Sequence, residues 1–392
     1  MTDHALRDDL RNLQDRTAIV GVGTTEFGAI YRDLDPERSA YELGLIAFRE
    51  ALADSGLRRS EIDGVIVSRL PHYGRMCEMI GLRHPRFANV LPGEGRQSGI
   101  ALQYAAMAVA NGMASAVACI YGNNGRSVGA RYGGENRGLT PQAMFEAPYG
   151  MTSPGAVTSL MFRRHQYRYG TTTEPLAHLA ISNRANAALN PNAVMQRPIT
   201  MDDYHAARYI AEPLCLLDYC LINDGGVCFI VTSAERARDL KHTPVLIHAT
   251  SQASDITPVY VADDFWQTPM SQIADDLFAI AEVQREDLAF AQLYDNFTPT
   301  MLFTLEGMGF CEPGEGGDWI TPERIGLRGE LPLNTGGGHT SESYMQGWAL
   351  HVEAVRQLRQ ECGDRQVADA HYGLYACAAP LATGHILKRD DQ

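Results

Sequence analysis

Residues 17–28 read TAIVGVGTTEFG. Ala18 to Val22 is a short apolar run closed by glycines, the mark of a buried strand. Working outward, Ser39 stands where a helix N-cap belongs. Leu43, Ile46, Ala47, Ala51 and Leu52 follow at helical spacing through Ala53, and Gly56 ends the run. EIDGVIVS (61–68) is then rich in β-formers. Strand, helix and strand in this order predict an α/β architecture with a parallel sheet.

The plan repeats. GRQSGIALQYAAMAVANG (95–112) predicts an Ala-rich helix, leading into a strand within ASAVACIYGNNG (114–125). Residues 126–200 read as an inserted, irregular segment with helices near Val157–Tyr169 and Glu174–Ala188. A strand near Val227–Thr232 follows the structural turn Asp224-Gly225-Gly226. Pro244–Ala249 then reads as a strand and Ile273–Val283 as a helix, and REDLAFAQLYDNF (285–297) matches the role of residues 59–68. The glycine-rich NTGGGHTSESY (334–344) enters a helix through Leu358, and VADAHYGLYACA supplies a late strand. The expected division is a flexible N-terminus (1–16), a first half (17–240) with its insertion at about 126–200, and a second half (241–392). In such folds ligands bind at loops beyond the strand ends.

Composition narrows the function. The 392 residues are 45% hydrophobic and 20% charged, an ordinary globular profile. A formal charge of −14 with no contiguous basic tract argues against a nucleic-acid partner. No apolar run approaches the roughly 20 residues that cross a bilayer. The polar N-terminus lacks a secretory core, so a cytoplasmic location is expected. Eight cysteines are scattered without a CxxC pair, which predicts reduced, mostly buried thiols and no metal site.

The order of these segments, from TAIVGVGTTEFG to the C-terminal GHILKR, resembles the thiolase superfamily in its sterol-carrier-protein, or lipid-transfer-protein, branch. The resemblance implies a thiolase fold: two similar halves in a five-layered αβαβα arrangement, a loop domain inserted in the first half, and a homodimer. The departures carry the function. Where thiolases place a nucleophilic cysteine in Cys-x-Ser/Thr-Gly, this chain reads Arg96-Gln97-Ser98-Gly99. An arginine stays protonated and cannot be acylated in that role. The Asn-Glu-Ala-Phe or His-Asp-Cys-Phe motif is Tyr294-Asp295-Asn296-Phe297. The Gly-His-Pro motif matches Ser343-Tyr344-Met345, and Cys377 falls a few positions beyond the late Cys-x-Gly.

Tyr-Asp-Asn-Phe-Thr-Pro together with Asn-Thr-x-Gly-Gly and Ser-Glu-x-Tyr resembles the acyl-CoA retro-aldolases of bacterial steroid side-chain degradation. That resemblance implies catalytic roles for Tyr294 and Tyr344. It also implies a separate OB-fold/zinc-ribbon partner, without which such chains are inactive or unstable. No tightly bound cofactor is expected; CoA enters as part of the substrate. Retro-aldol cleavage needs a base for the hydroxyl, donors for the enolate oxygen and an acid for the α carbon, but no covalent nucleophile. A tyrosine with an ordinary pKa of about 10 needs help to act as base near neutrality. Arg96 and His339 are candidates to lower it, His339 also serving as a structural or binding group. Asn296 and the N–H groups of Gly336, Gly337 and Gly338 are candidates for holding the thioester oxygen, a flexible turn being the plain alternative. Two other functions stay open: a non-catalytic acyl-CoA or lipid-binding subunit, and another cysteine-free acyl-CoA condensing or cleaving enzyme.

Overall fold

The computed structural model describes residues 11–93, 95–131, 147–151, 153–257 and 261–391. The expected flexible N-terminus lies outside the described residues over 1–10, as does the insertion over 132–146. Strand β1 (Thr17–Thr24) is buried almost throughout. It leads to α1 (Ala40–Ser55), whose start is held reciprocally. The Ser39 side chain accepts the Glu42 N–H, and the Glu42 carboxylate accepts the Ser39 N–H. Gly56 closes the helix in the left-handed region, at φ 72°. The glycines in the opening stretch have a packing cause: a Cβ on Gly21 or Gly23 would strike the backbone of α1 at Ala51 or Ala47. The helix therefore rides directly on the strand.

The remaining strands are β2 (Gly64–Ser68), β3 (Phe87–Leu91), β4 (Ala116–Asn123), a small hairpin of β5 (Tyr209–Ala211) and β6 (Leu214–Cys215), β7 (Gly225–Ser233), β8 (Val245–Ser254), β9 (Phe290–Leu293), β10 (Tyr372–Cys377) and β11 (Leu381–Arg389). Eight of these join β1 in one nine-stranded sheet in the order β3-β2-β4-β7-β1-β8-β11-β10-β9. The antiparallel contact of β1 with β8, through Ala18–Leu246 and Ile19–Val245, is its midpoint. Outward from it the same plan appears twice, as β1-β7-β4-β2-β3 and β8-β11-β10-β9. Leu333 bridges Ala291 in parallel, in the place that β3 occupies in the first set.

The sheet is mixed rather than parallel as expected. β2 runs parallel to β3 and β4, and β9 parallel to β10. β7 returns after the insertion antiparallel to both β1 and β4, and β11 does the same between β8 and β10. A long connection or a tight hairpin permits that reversal, whereas a crossover helix enforces parallel pairing.

Successive β1 side chains face different helices. Ala18 and Val20 pack with Ala47, Phe48 and Ala51 of α1. Ile19 and Val22 join a cluster with α2 (Gln97–Ala110) and the later α8 (Trp348–Leu358). α2 and α8 are buried on almost every side, α2 being mostly apolar and α8 carrying the buried polar residues His351, Glu353 and Gln357. Both touch strands of both sets, so they form the inner helical layer. α1 and, on β8 and β11, α5 (Gln267–Ala281) form the outer ones.

The segment expected to be an insertion contains α3 (Pro154–Tyr169) and α4 (Glu174–Ala188). They cross over to pack on the second set at α6 (Thr298–Gly307). The tie is polar and buried: His165 Nε2 lies 3.0 Å from Glu306 Oε1, and its Nδ1 2.9 Å from Thr171 Oγ1. The helix expected after the glycine loop is α8, which starts at Trp348 and runs through Leu358, and the loop itself holds a short helical turn. A turn of helix, α7 (Gly338–Ser341), is separated from α8 by a link in which Gln346 and Gly347 adopt φ of 50° and 88°. Tyr344 stands in that link, outside any helix, at the end of the expected loop.

Candidate active site

β9 ends at Leu293, and the next residue projects the first functional side chain. The Tyr294 N–H donates to Ala376 O of the neighbouring β10 at 2.9 Å, fixing its backbone. Tyr344 comes from the link between α7 and α8, where its N–H donates to Asn223 Oδ1 at 2.7 Å. Fifty positions apart in sequence, their hydroxyls meet at 3.1 Å. Tyr294 is 5% exposed and Tyr344 half-buried. The pair therefore has a sheltered end and an approachable one.

His339 is fully buried against both rings, edge to face, with centroids 4.7 Å from Tyr294 and 5.3 Å from Tyr344. Its Nε2 accepts the Gly347 N–H at 2.9 Å, so the ring proton belongs on Nδ1. Nδ1 lies 3.0 Å from Asp295 Oδ1, off the line of a good hydrogen bond. Nε2 is thus committed to the backbone, while Nδ1 is buried beside the carboxylate without a hydrogen bond among the described residues. His339 is held as a wall and spacer of the tyrosine pair, not as a free base.

Asp295 organises the glycine loop. Its carboxylate accepts the backbone N–H of His339 at 2.9 Å and of Thr340 at 3.3 Å, and Asn183 Nδ2 of the insertion at 2.8 Å. Asn334 imitates a strand partner: its Oδ1 accepts the Leu293 N–H and its Nδ2 donates to Leu293 O. Gly338, at φ 61°, is obligatory, because a Cβ there would enter Asp295 and Asn334. The loop is buried and cross-braced, so the flexible-turn reading does not hold. The Gly337 N–H donates to Asn334 O at 2.8 Å, which places that residue in the scaffold. Asn296 Oδ1 accepts from the Phe297 N–H and the Thr300 hydroxyl, both at 3.1 Å.

Arg96 immediately precedes α2 and is partly exposed. Its charge acts on Cys377, opposing burial that still pushes that thiol up to about 12. Cys377 packs in one cluster with Tyr294, Leu350 and Tyr375. Arg96 is thus within electrostatic range of this cluster. Neither tyrosine is brought toward neutrality. Burial raises Tyr294 well above the ordinary phenol value, the neighbouring Tyr344 adding to it. Burial raises Tyr344 too, with Cys220 adding and the bonds to Tyr294 and Gln346 opposing. The expected lowering by Arg96 or His339 is not among the causes that act on either phenol, and burial in a low-dielectric pocket dominates both. Each is a neutral hydroxyl at physiological pH.

Some of the site has no local sequence signal. Cys220 and Asn223 belong to an unremarkable stretch, yet they reach the tyrosines through space. Gly95 is where the start of α2 meets Tyr294; a Cβ there would overlap the phenol hydroxyl. Gly95→Ala is therefore expected to displace Tyr294 and lower kcat roughly 100-fold. A thermal melt near the wild-type value, recorded on the same protein, separates this from unfolding.

A family model described as "Thiolase C-terminal domain-like" matches residues 251–386. The chain is 38% identical over 360 residues to a steroid side-chain-cleaving aldolase of Thermomonospora curvata, covering 87% of this chain and 90% of that protein. The chain belongs to the thiolase superfamily, in the branch of the steroid side-chain-cleaving aldolases. A second relative, the 17-hydroxy-3-oxo-4-pregnene-20-carboxyl-CoA lyase of Mycobacterium tuberculosis, is 36% identical over 362 residues, covering 88% of this chain and 92% of its own. The solved "Ltp2-ChsH2(DUF35) aldolase" superposes with a TM-score of 0.88 at 33% identity, over 97% of this chain and 99% of that one.

The loop that carries Tyr344 also contributes to a buried acid pair, Glu342 and Glu353. Glu353 is held below the usual carboxylate range by Arg365, 3.0 Å away, despite burial that acts the other way. Glu342, two residues before Tyr344, is pushed up to about 8 by burial and then by Glu353. Its folded pKa exceeds its unfolded one, so its stabilising contribution is full below about pH 4.5 and is lost as pH rises through about 8. Glu342→Gln, which keeps an oxygen for Asn190 Nδ2, should gain in melting temperature relative to wild type between pH 5 and 8. Parallel melting curves across that range would contradict it.

Proposed function

We propose that this chain cleaves the side chain of a steroid β-hydroxyacyl-CoA by a retro-aldol reaction, giving a steroid ketone or aldehyde and a short acyl-CoA. The observation that carries the reading is the pair of neutral tyrosine hydroxyls in contact at 3.1 Å, in a site with arginine where a nucleophile would stand. The bond between the α and β carbons breaks, and its electron pair becomes the thioester enolate. The hydroxyl oxygen keeps its bond to the β carbon and becomes the carbonyl. The hydroxyl proton passes to one tyrosine, which hands its own to the other, and that tyrosine protonates the α carbon.

A neutral phenol accepts a proton only while giving one away, so two joined phenols do what one alone at high pKa cannot. No net proton is taken up or released in the cycle. His339 and the Asp295-braced loop hold the pair in register, and Asn296 and Arg96 line the side that meets the thioester.

The aldolase named for a ChsH2(DUF35) component supports a separate OB-fold/zinc-ribbon partner for this chain as well. Edge strand β3 supports a homodimer: it is half-exposed, and α2 beside it leaves Met107 42% exposed. The two repeats of the sheet support halves 17–240 and 241–392. Among the described residues no helix is long and apolar enough to cross a membrane, and every cysteine is a free thiol, which fits the cytoplasm. The test is product mass analysis of a steroid β-hydroxyacyl-CoA incubated with the chain co-expressed with its OB-fold partner. A steroid carbonyl compound and a short acyl-CoA are expected. Tight acyl-CoA binding without cleavage would instead make the chain a binding subunit.

A further inference from the structure

Behind the tyrosine pair lies a second polar cluster that the reaction above does not use. Tyr375 on β10 is fully buried, with its hydroxyl 2.8 Å from Ser98 Oγ at the start of α2. Ser98 Oγ also lies 3.2 Å from Gly95 O, and a carbonyl only accepts. The arrangement that makes both bonds has Tyr375 donating to Ser98 and Ser98 donating to Gly95.

The Tyr375 ring is clamped in turn. The His351 ring lies 3.9 Å from it, centroid to centroid, and the His385 ring 5.8 Å. His385 Nε2 donates to Gly99 O at 3.0 Å, fixing that imidazole. Among the described residues neither nitrogen of His351 has a partner, although the side chain is wholly buried. A buried imidazole with no hydrogen bond is a standing cost, and a fold that keeps one has invested in this place.

The cluster touches the reacting pair at two backbone points. Gly95, whose carbonyl Ser98 holds, is the residue against which the Tyr294 hydroxyl rests. Gly347, whose N–H holds His339 Nε2, packs directly on the Ser98 and Tyr375 hydroxyls, and a Cβ there would overlap both. One hydroxyl pair thus fixes the surfaces that seat Tyr294 and His339.

We infer that Tyr375 and Ser98 are a positioning pair for the carbon–carbon cleavage, setting Tyr294 through Gly95 and His339 through Gly347. The inference rests on the retro-aldolase reading. Neither residue touches substrate, so they govern the rate of the bound complex and leave binding alone. Misplacement of a reacting group by about 1 Å costs on the order of 100-fold in rate.

The experiment is steady-state kinetics of the partner-bound complex for wild type, Tyr375→Phe, Ser98→Ala and the double variant. Each single change is expected to lower kcat roughly 30- to 100-fold with KM within about twofold. The double variant should be no worse than the weaker single within about threefold, because the two hydroxyls act as one unit. Losses that multiply in the double variant, a rise in KM at unchanged kcat, or folded single variants with wild-type kcat would each overturn the positioning role. Ser98→Ala, the smaller change, carries the test if Tyr375→Phe fails to fold. No cleavage by the wild-type complex would overturn the retro-aldolase reading itself. Normal wild-type cleavage with unaffected variants overturns only the positioning pair.

Discussion

Tyr294→Phe and Tyr344→Phe are each expected to lower kcat by roughly 10²- to 10⁴-fold, the range in which a positioned proton donor or acceptor contributes. The change removes one oxygen and keeps the ring. His339 therefore retains its edge-to-face contacts with both rings, at 4.7 and 5.3 Å between centroids, and the wall of the site is preserved. What is lost is the 3.1 Å hydroxyl contact through which the proton passes. With one phenol left, the survivor is a neutral group far above its ordinary pKa through burial, with no neighbour to take its proton. The two losses should not multiply: the double variant is expected to resemble the worse single one. KM should change little, because neither hydroxyl is needed to hold the CoA portion. The same relay predicts a rate nearly independent of pH between about 6 and 9, since both phenols stay protonated throughout. A single variant retaining more than a tenth of wild-type kcat, or a rate climbing tenfold per pH unit across that window, would remove the paired-phenol relay.

How much of this was legible in the chain depended on how local the cause was. Ser39, Glu42 and Gly56 form and end α1 by contacts within a few residues, so the sequence displays them. Helix α6 was missed because TPTMLFTLEG is buried on every side and shows no periodic face. β3 was missed because a short, half-exposed edge strand carries little alternation. The mixed sheet was misread because strand direction is set by what a connection spans, not by the strand's own residues. Tyr294 and Tyr344 were found by resemblance of their motifs, and their contact is a product of the fold. Gly95 against Tyr294, Asn223 beneath Tyr344 and Cys377 beside Tyr294 join segments 70 or more positions apart, as their numbers show. A sequence has no local pattern for such meetings. The pKa expectation failed for a related reason: charge is visible in a sequence, but burial, which dominates both phenols, is not.

Asp295→Ala is the substitution expected to damage the fold and the chemistry together. The carboxylate is wholly buried, and the backbone N–H groups of His339 and Thr340 and the Asn183 amide all end on it. Truncation leaves those donors buried without an acceptor, at about 1–3 kcal/mol for each neutral group. A destabilisation of roughly 3–5 kcal/mol follows even if the loop relaxes around the gap. The loop that relaxes carries His339, whose ring spaces the two tyrosines, so turnover should fall further than the lost folded fraction explains. Asp295→Asn separates these effects. It keeps the size of the side chain and one accepting oxygen, and presents an NH2 to donors that want an acceptor. Its melting temperature should fall between those of wild type and the alanine variant. The measurements are calorimetric melts and kcat on the partner-bound complex at a temperature where each variant is folded. Wild-type melting of Asp295→Ala would show that the loop is held by something other than this carboxylate. Wild-type kcat in a destabilised Asp295→Ala would show that the loop braces the fold without positioning the tyrosines.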